Sequence, residues 1–212
     1  MIAIVDYGRG NLGSVRKALA EVASEVVVTG DPAVAARARA LVVPGDGAFA
    51  DAMESLERLG LVEPLRQHLA AGRPYLGICL GYQLLFTASE EFGHAKGLDV
   101  LPGTVRRFGP GLKVPHMGWN RLWHDGTLPL LAGIPPGAYF YFVHSYYPEL
   151  TPALQAEGVR TAECEYGVRF PALIARGALY GTQFHPEKSQ HWGRRLLANF
   201  GRLVAAPAGA AG

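Results

Sequence analysis

The sequence has few of the residues that build disulfide frameworks, membrane spans or nucleic-acid surfaces. Only two of its 212 residues are cysteines, and no apolar run reaches the roughly 20 residues that a membrane-spanning helix needs. Lys and Arg number 20 against 18 Asp and Glu, so the net charge of +2 attracts nucleic acid or an anionic membrane only weakly. The amino terminus lacks the features of a signal peptide. We therefore expect a cytoplasmic protein that binds neither nucleic acid nor membrane.

The sequence does contain 49% hydrophobic residues, together with 27 glycines and 15 prolines. Its length corresponds to one domain or at most two small ones. A chain of this size and composition can fill a full hydrophobic core, which excludes disorder as its main state.

Short apolar runs alternate with helical patterns through the first half of the chain. The predicted strands lie at 2–7, 25–29, 40–43 and 74–79. The predicted helices lie at 12–22, 47–59, 61–71 and 80–87. Such alternation is typical of βαβ units, which build a parallel sheet covered by helices on both faces.

The second half has strand-like pieces broken by glycine and proline. These pieces lie at 104–108, 139–147, 160–166 and 172–175. Their spacing favours antiparallel hairpins beside the parallel sheet, and a final helix is predicted at 190–204. The sequence therefore predicts an α/β fold with an open, mostly parallel sheet flanked by helices and additional antiparallel strands in the second half. We expect the low-complexity tail, 205–212, to be frayed.

A glycine-rich segment, Gly8 to Gly13, has the spacing G-x-G-x-x-G of dinucleotide-binding turns. Asp31 even lies near the position of a ribose-binding acid. However, Asp31 precedes Pro32 as a helix N-cap would, and the glycine pattern alone is a weak signal. We favour a glycine-rich turn without a nucleotide, and we predict no cofactor and no metal.

Cys79 lies in the pattern Gly77-Ile78-Cys79-Leu80-Gly81, at the end of a predicted strand with a helix behind it. This is the pattern of a nucleophile elbow, which needs glycines because the turn is tight and the nucleophile's backbone is strained. The helix N-terminus behind the residue would favour a thiolate. The alternative is a buried structural cysteine, an interpretation that suits the other cysteine, at position 164, because no glycine turn surrounds it.

A cysteine nucleophile needs a base, and His185 has the best setting of the seven histidines. A short strand is predicted to deliver it, and Pro186 is expected to keep the chain extended. Residues two apart in an extended segment face the same way, so Glu187 would orient the imidazole while His185 exchanges a proton with Cys79. An isolated His or Glu would instead be a solvated surface residue.

A candidate oxyanion site follows the third predicted strand, where Pro44 leads into Gly45, Asp46 and Gly47. Ligand sites of open α/β sheets gather at the carboxyl ends of strands. Glycines there let a peptide N–H group turn toward a developing oxyanion, and the backbone of Leu80, after the nucleophile, is a further candidate. The alternative is a plain strand-to-helix turn.

These segments resemble the Cys–His–Glu class of glutamine amidotransferases, through GICLGYQLLF (77–86) and GTQFHPEKS (181–189). Four further motifs resemble the family of glutaminase subunits of imidazole glycerol phosphate synthases. They are DYGRGNLGSV (6–15), PGDGAF (44–49), KVPHMGWN (113–120) and YFVHSYY (141–147). The resemblance implies a flavodoxin-like glutamine amidotransferase fold and a domain that covers 1–204.

By this resemblance, Cys79 attacks the carboxamide of L-glutamine, which releases ammonia and leaves a glutamyl thioester. His185 would protonate the leaving ammonia and then activate water, with Glu187 holding its ring. The resemblance also implies glutamine-binding roles for Gln83, Glu91 and the backbone around His144, Ser145 and Tyr146.

The resemblance further implies a partner, a cyclase subunit with a (β/α)8 barrel that receives the ammonia. Motif matches suggest an interface through Asn11, Trp119, Tyr141 and Lys188, although Trp119 and Tyr141 are equally interpreted as core aromatics. Asp46 departs from the small apolar residue usual in the family, and we expect its side chain to point to solvent or to the interface.

Two other functions remain open from the sequence. One is a different thiol hydrolase on a similar α/β scaffold, such as a peptidase or an amidotransferase subunit that serves another ammonia acceptor. The other is a non-catalytic binding scaffold. We also expect the isolated chain to be silent, on the hypothesis that the 45–47 peptide must reorient when the acceptor site is occupied.

Overall fold

A seven-stranded sheet forms the centre of the computed structural model, which describes residues 1–206. Its strands, in spatial order, are β11 (Arg160–Glu165), β12 (Arg169–Arg176), β13 (Leu179–Thr182), β4 (Tyr75–Ile78), β3 (Ala40–Val43), β1 (Ile2–Val5) and β2 (Val26–Thr29). The strands from β13 to β2 are parallel, and β12 and β11 extend the sheet in antiparallel pairing. The predicted α/β fold with a mostly parallel sheet and antiparallel additions is confirmed.

Helices cover both faces of this sheet, because successive residues of each inner strand point to opposite sides. In β1, Ile2 and Ile4 belong to one hydrophobic core while Ala3 and Val5 belong to the other. The helices are α1 (Leu12–Ala20), α2 (Pro32–Arg37), α3 (Phe49–Arg58), α4 (Val62–Ala70), α5 (Leu80–Gln83), α6 (Pro152–Ala156) and α7 (Gln190–Ala205). Within residues 1–206, no helix is long and apolar enough to cross a membrane.

Two smaller sheets flank the large one. A four-stranded sheet has the order β10 (Tyr146–Pro148), β7 (Leu101–Arg107), β5 (Phe86–Ser89) and β6 (Ala95–Lys96). A separate antiparallel pair joins β8 (His116–Leu122) to β9 (Ala138–His144).

The β8–β9 pair has one buried face and one exposed face. His116, Phe140 and Phe142 are buried on one side. The other side exposes Met117 and Trp119, at 63% and 46% of their full surface. We call this side the hairpin face, defined by Met117, Trp119, Trp123 and Tyr139.

The predicted helix at 80–87 is wrong in its second half, because α5 ends at Gln83 and the chain continues as β5. The carbonyl of Leu84 accepts the N–H group of Leu98 at 2.8 Å, and that of Leu85 accepts the N–H group of Val100 at 2.9 Å. These carbonyls bond to the segment before β7 instead of to a further helical turn. An apolar run of this length does not distinguish a buried helix from a buried strand.

The predicted strand at 139–147 is two strands, because the chain bends at Ser145 between β9 and β10. The bend moves the chain from the hairpin to the four-stranded sheet. At the carboxyl end, α7 extends to Ala205. The rest of the predicted frayed tail, from 207 on, lies outside the described residues.

Candidate active site

Cys79 forms a strained turn between β4 and α5. Its φ of 53° lies in the left-handed region, which residues other than glycine rarely adopt outside functional turns. A Cβ on Gly77 would lie 2.6 Å from the carbonyl oxygen of Gly81, and a Cβ on Gly81 would overlap the carbonyl oxygen of Val43. Both flanking glycines are therefore required sterically, as a nucleophile elbow demands.

The helix behind Cys79 is shorter than the sequence pattern predicts. Since α5 has four residues, Cys79 has one turn of N–H groups beside it. The N–H group of Leu80, the first residue of that turn, donates to no backbone carbonyl within residues 1–206. It is therefore available to a charge that develops next to the thiol.

Three neighbouring strands deliver the parts of the site to one edge of the sheet. β3 leads into Gly45, Asp46 and Gly47, β4 leads into Cys79, and β13 leads into His185. The Cys79 N–H group donates to the carbonyl of Thr182 at 2.7 Å, which joins the ends of β4 and β13.

These parts line one cavity of about 450 Å³. Its lining includes the predicted site residues Asn11, Gly45, Asp46, Gly47, Cys79, Leu80, Gln83, Glu91, His144, Ser145, Tyr146, His185, Glu187 and Lys188. Trp119 and Tyr141 lie outside this lining. In residues 1–206, no group of three or more His, Cys, Asp or Glu side chains is arranged to hold a metal ion.

The His185 ring is oriented by Glu187. Its Nδ1 donates to Oε1 of Glu187 at 2.8 Å, and both side chains are buried. The predicted extended segment is wrong here, because Pro186–Lys188 is a turn of 3-10 helix and the pair meets across that turn. Nε2 of His185 is buried and has no hydrogen-bond partner among the described residues, so it is free for proton transfer.

The charge environment favours a protonated His185. Burial lowers the pKa of His185, but the neighbouring Cys79 and Glu187 outweigh burial and raise it from its ordinary value to about 10. A negative charge on sulfur and a positive charge on the imidazole therefore stabilise each other. This is the ionisation state in which a thiol is a strong nucleophile.

The segment after β3 packs against the glycine-rich segment after β1. A Cβ on Gly45 would lie 2.9 Å from the Cβ of Leu80 and would overlap the hydroxyl of Tyr7. Gly10, with a φ of 89°, leaves room in turn for the backbone of Gly45. The exposed Asp46 side chain accepts the Gly10 N–H group at 3.0 Å. The G-x-G-x-x-G spacing thus serves close backbone packing beside the site.

The residues expected to bind glutamine lie around the same cavity. Oε2 of Glu91 accepts the N–H group of Phe49 at the start of α3, at 2.7 Å. Burial raises the pKa of Glu91, partly offset by that hydrogen bond. The carbonyl of Tyr146 accepts hydrogen bonds from Gln83 Nε2 and His144 Nδ1, both at 2.8 Å.

Sequence reasoning missed three side chains that support this arrangement. Gln183 donates from Nε2 toward the sulfur of Cys79 at 3.7 Å and accepts from Gln83 at 3.0 Å. The buried His116 and the half-buried Asn120 form a chain of hydrogen bonds that ends on His144. Gln183 lies inside the motif that carries His185, so its position two residues before the base was an available signal.

The predicted interface residues fall into two groups. Asn11 caps α1 by accepting the Ser14 N–H group at 3.2 Å, and it lines the cavity with Lys188. Trp119 is exposed on the hairpin face, so it is not a core residue. Tyr141 is half-buried, with the Trp119 ring 6.0 Å away and Nζ of Lys188 5.9 Å from its own ring centre.

Cys164 has a different environment from Cys79. It is buried within β11, and its thiol lies 3.9 Å from the carbonyl oxygen of Glu165. Burial raises the pKa of the Cys164 thiol to about 12. Its thiol therefore stays protonated and unreactive at neutral pH.

A buried thiol, an imidazole and a carboxylate at the carboxyl edge of an open α/β sheet are typical of the class of glutamine amidotransferases that use Cys, His and Glu. The family model for class-I glutamine amidotransferases matches residues 3–203. A solved structure described as a glutamine amidotransferase superposes with a TM-score of 0.75 at 20% identity, covering 97% of this chain and 99% of that one. The glutaminase domain of Trypanosoma brucei CTPS, with bound acivicin, superposes with a TM-score of 0.68 at 14% identity, covering 96% and 93%.

Curated relatives narrow the class further. The imidazole glycerol phosphate synthase subunit HisH of Moorella thermoacetica is 53% identical over 203 residues, covering 96% of this chain and 95% of that protein. The HisH subunit of Desulfitobacterium hafniense strain DSM 10664 is 51% identical over 204 residues, with the same coverage. The chain belongs to the class-I glutamine amidotransferases and, within them, to the HisH subunits of imidazole glycerol phosphate synthase.

Proposed function

We propose that this chain hydrolyses L-glutamine to glutamate and ammonia as the glutaminase subunit of an imidazole glycerol phosphate synthase, in histidine biosynthesis. The observation that carries the proposal is that two groups line the same cavity: the thiol of Cys79, which a strained backbone turn presents, and the imidazole of His185, which the Glu187 carboxylate orients. The relatives, half identical over nearly the full chain, support the choice of synthase.

The first half of the reaction begins with the thiolate of Cys79. Its sulfur attacks the carboxamide carbon of glutamine, and N–H groups of Leu80 and of the 45–47 segment donate hydrogen bonds that stabilise the charge developing on the oxygen. The protonated His185 then gives its Nε2 proton to the leaving nitrogen. Ammonia departs, and a glutamyl thioester remains on Cys79.

The second half of the reaction uses the same imidazole as a base. The neutral Nε2 of His185 removes a proton from water, and the water oxygen attacks the thioester carbon. Cys79 leaves as a thiolate and glutamate is released, with His185 protonated again. Glu187 keeps the ring oriented through both proton transfers.

Recognition of glutamine needs groups for both of its charged ends. The carboxylate of Glu91 suits the α-ammonium group, because one of its oxygens is occupied by Phe49 and the other has no partner among the described residues. The backbone at Ser145 and Tyr146 suits the α-carboxylate. Among the described residues, the Ser145 N–H group donates to no backbone carbonyl.

The proposal includes a partner that takes up the ammonia. That partner is a cyclase subunit with a (β/α)8 barrel, which forms imidazole glycerol phosphate and an aminoimidazole carboxamide ribotide. The exposed apolar hairpin face supports a docking role, because exposed aromatic side chains anchor interfaces. A cytoplasmic location stays a prediction.

The test separates ammonia production from ammonia use. In the complex with the cyclase subunit and its ribotide substrate, Cys79→Ala is expected to abolish glutamine-dependent product formation and glutamate release. Product formation supplied by ammonium chloride is expected to persist. Cys164→Ala is the matched control and keeps both activities.

Two outcomes would overturn the proposal. Glutamine-dependent turnover that persists in Cys79→Ala would remove the thiol from the reaction. If the parent chain releases glutamate but the cyclase forms no product from the ammonia, the chain is a glutaminase that serves another ammonia acceptor.

A further inference from the structure

A chain of hydrogen bonds, buried at its centre, leads from β8 to the edge of the cavity. Nδ2 of Asn120 lies 3.1 Å from Nε2 of His116, and Nδ1 of His116 lies 3.0 Å from Nε2 of His144. Nδ1 of His144 lies 2.8 Å from the carbonyl oxygen of Tyr146. None of these imidazoles belongs to the Cys–His–Glu set.

The two ends of the chain fix every proton in it. The Tyr146 carbonyl only accepts, so His144 carries its proton on Nδ1 and accepts at Nε2. His116 must then carry its own proton on Nδ1 and accept at Nε2. Asn120 supplies the last donor, and its amide is oriented because Oδ1 accepts the Arg121 N–H group at 2.7 Å.

The surroundings keep both rings neutral and still. Burial lowers the pKa of His116 to about 4 and that of His144 to about 3. The His116 ring is stacked between two aromatic rings, with centroid distances of 4.0 Å to Tyr166 and 4.8 Å to Phe142. The chain is therefore intact across the neutral pH range.

The same carbonyl also receives the branch that reaches the nucleophile. Gln83 donates from Nε2 to Tyr146 at 2.8 Å and to Oε1 of Gln183 at 3.0 Å. Nε2 of Gln183 in turn lies 3.7 Å from the sulfur of Cys79. The Tyr146 carbonyl thus accepts hydrogen bonds from two directions, one from the chain that begins on β8 and one from the glutamines beside Cys79.

We infer that His116 is a positioning residue for glutamine binding. Its Nδ1–H group holds the His144 ring, which together with Gln83 fixes the Tyr146 carbonyl and, through it, the backbone of Ser145 and Tyr146 that leads into this carbonyl. This inference rests on the proposed function, in which the backbone at Ser145 and Tyr146 receives the α-carboxylate. Loss of the His116 donor leaves Nε2 of His144 buried and unpaired, so the ring and this backbone lose their fixed position.

Two substitutions separate the hydrogen bond from the packing. His116→Phe keeps the aromatic stacking and removes the donor. His116→Asn places an amide donor near the position of Nδ1 and removes the stacking. His68→Leu is the control, because His68 is also a buried histidine with one hydrogen bond, to the carbonyl of Pro74 at 2.9 Å, and does not line the cavity.

Steady-state glutaminase kinetics of the complex with the cyclase subunit give the readout. In His116→Phe the KM for glutamine is expected to rise roughly tenfold with a smaller change in kcat, as for the loss of one buried hydrogen bond. His116→Asn is expected to keep the KM near the parent value. In urea unfolding, His116→Asn is expected to be less stable than His116→Phe, because it loses the aromatic stacking. His68→Leu changes stability and leaves the KM unchanged.

Other results would overturn the inference without touching the proposed function. A KM in His116→Phe equal to the parent value, or KM values that follow stability across the variants, would make His116 structural only. If His116→Phe does not fold, nitrogen-15 spectra of the parent histidines decide, because a proton on Nε2 of His144 or His116 contradicts the chain. An inactive parent complex would instead refute the proposed function.

Discussion

The carboxylate of Asp46 accepts the N–H group of Gly10 at 3.0 Å, which ties the segment after β3 to the segment after β1. The tie holds the peptides that are proposed to receive the oxyanion. A small apolar residue, usual at this position in the family that the sequence resembles, has no acceptor for such a bond. Asp46, whose side chain is exposed, therefore adds a restraint to the oxyanion segment.

Release of this restraint is expected to raise the activity of the chain alone. If the 45–47 peptide must reorient for catalysis, Asp46→Ala removes one hydrogen bond that opposes the change, and glutaminase activity without the cyclase rises about three- to tenfold. Asp46→Asn, which keeps the accepting oxygen, stays near the parent rate. Assays of glutamate release by the free chain check this, and an unchanged or lower rate in Asp46→Ala would contradict it.

Removal of the sulfur is expected to lower the pKa of His185. In the parent the imidazole stays protonated until the pH approaches 10, because Cys79 and Glu187 outweigh burial. In Cys79→Ala only Glu187 opposes burial, so the ring loses its proton at a lower pH. Histidine NMR titrations of both chains, with His185→Asn for assignment, measure the difference, and equal pKa values would exclude the thiolate–imidazolium pair.

Neutralisation of Glu91 is expected to weaken glutamine binding. Glu91→Gln keeps an oxygen for the Phe49 N–H group and removes the charge proposed to pair with the α-ammonium group. Loss of a charged hydrogen bond predicts a KM about ten- to a hundredfold higher. Glu90→Gln is the control, because Glu90 is exposed and pairs with Arg106 at 3.6 Å. A KM that rises equally in both variants would argue against this role.

Gly81 is expected to tolerate no side chain. Because a Cβ there would overlap the carbonyl oxygen of Val43, Gly81→Ala is expected to lower the free energy of unfolding by about 3 kcal/mol or more. Gly109→Ala, where no atom of the described part of the chain lies within 4 Å of the added carbon, stays within about 0.5 kcal/mol of the parent. Urea unfolding of both variants checks the prediction, and a loss below about 1 kcal/mol for Gly81→Ala would contradict it.

Trp119 is expected to contribute to cyclase binding and little to folding. Trp119 has 46% of its surface exposed on the hairpin face. Trp119→Ala is therefore expected to leave the melting temperature nearly unchanged and to raise the Kd for the cyclase about thirtyfold, as for an anchor residue. Val168→Ala changes another exposed apolar residue, in the turn between β11 and β12. Titration calorimetry with the cyclase measures the Kd of each variant. Equal Kd values for the two variants would exclude the hairpin face as the docking surface.

The strands and the elbow could be predicted because each has a local signature. The apolar runs and the glycines on both sides of Cys79 are such signatures. The predicted helix at 80–87 is wrong in its second half because the carbonyls of Leu84 and Leu85 bond to a segment fourteen to sixteen residues away, which no local pattern records. The chain through His116 was missed for the same reason, since 28 residues separate its two imidazoles.

The predicted extended backbone between His185 and Glu187 is also wrong, although the two side chains meet. Alternation along an extended segment predicts a shared face, whereas the structure brings the side chains together across a 3-10 turn. A spacing of two residues after a strand is compatible with both geometries. The sequence pattern therefore predicts that the two side chains meet, but it does not predict the backbone conformation that brings them together.

The nucleophile and the base follow adjacent strands, β4 and β13, in the interior of the seven-stranded sheet, and the Cys79–Thr182 hydrogen bond joins the ends of these strands. Local opening of a sheet starts at its edges, here β2 and β11, and reaches the interior strands last. Partial melting thus leaves the distance between sulfur and imidazole intact. Heat is expected to end catalysis in the same cooperative step that ends the fold, so the enzyme's upper working temperature is set by its sheet.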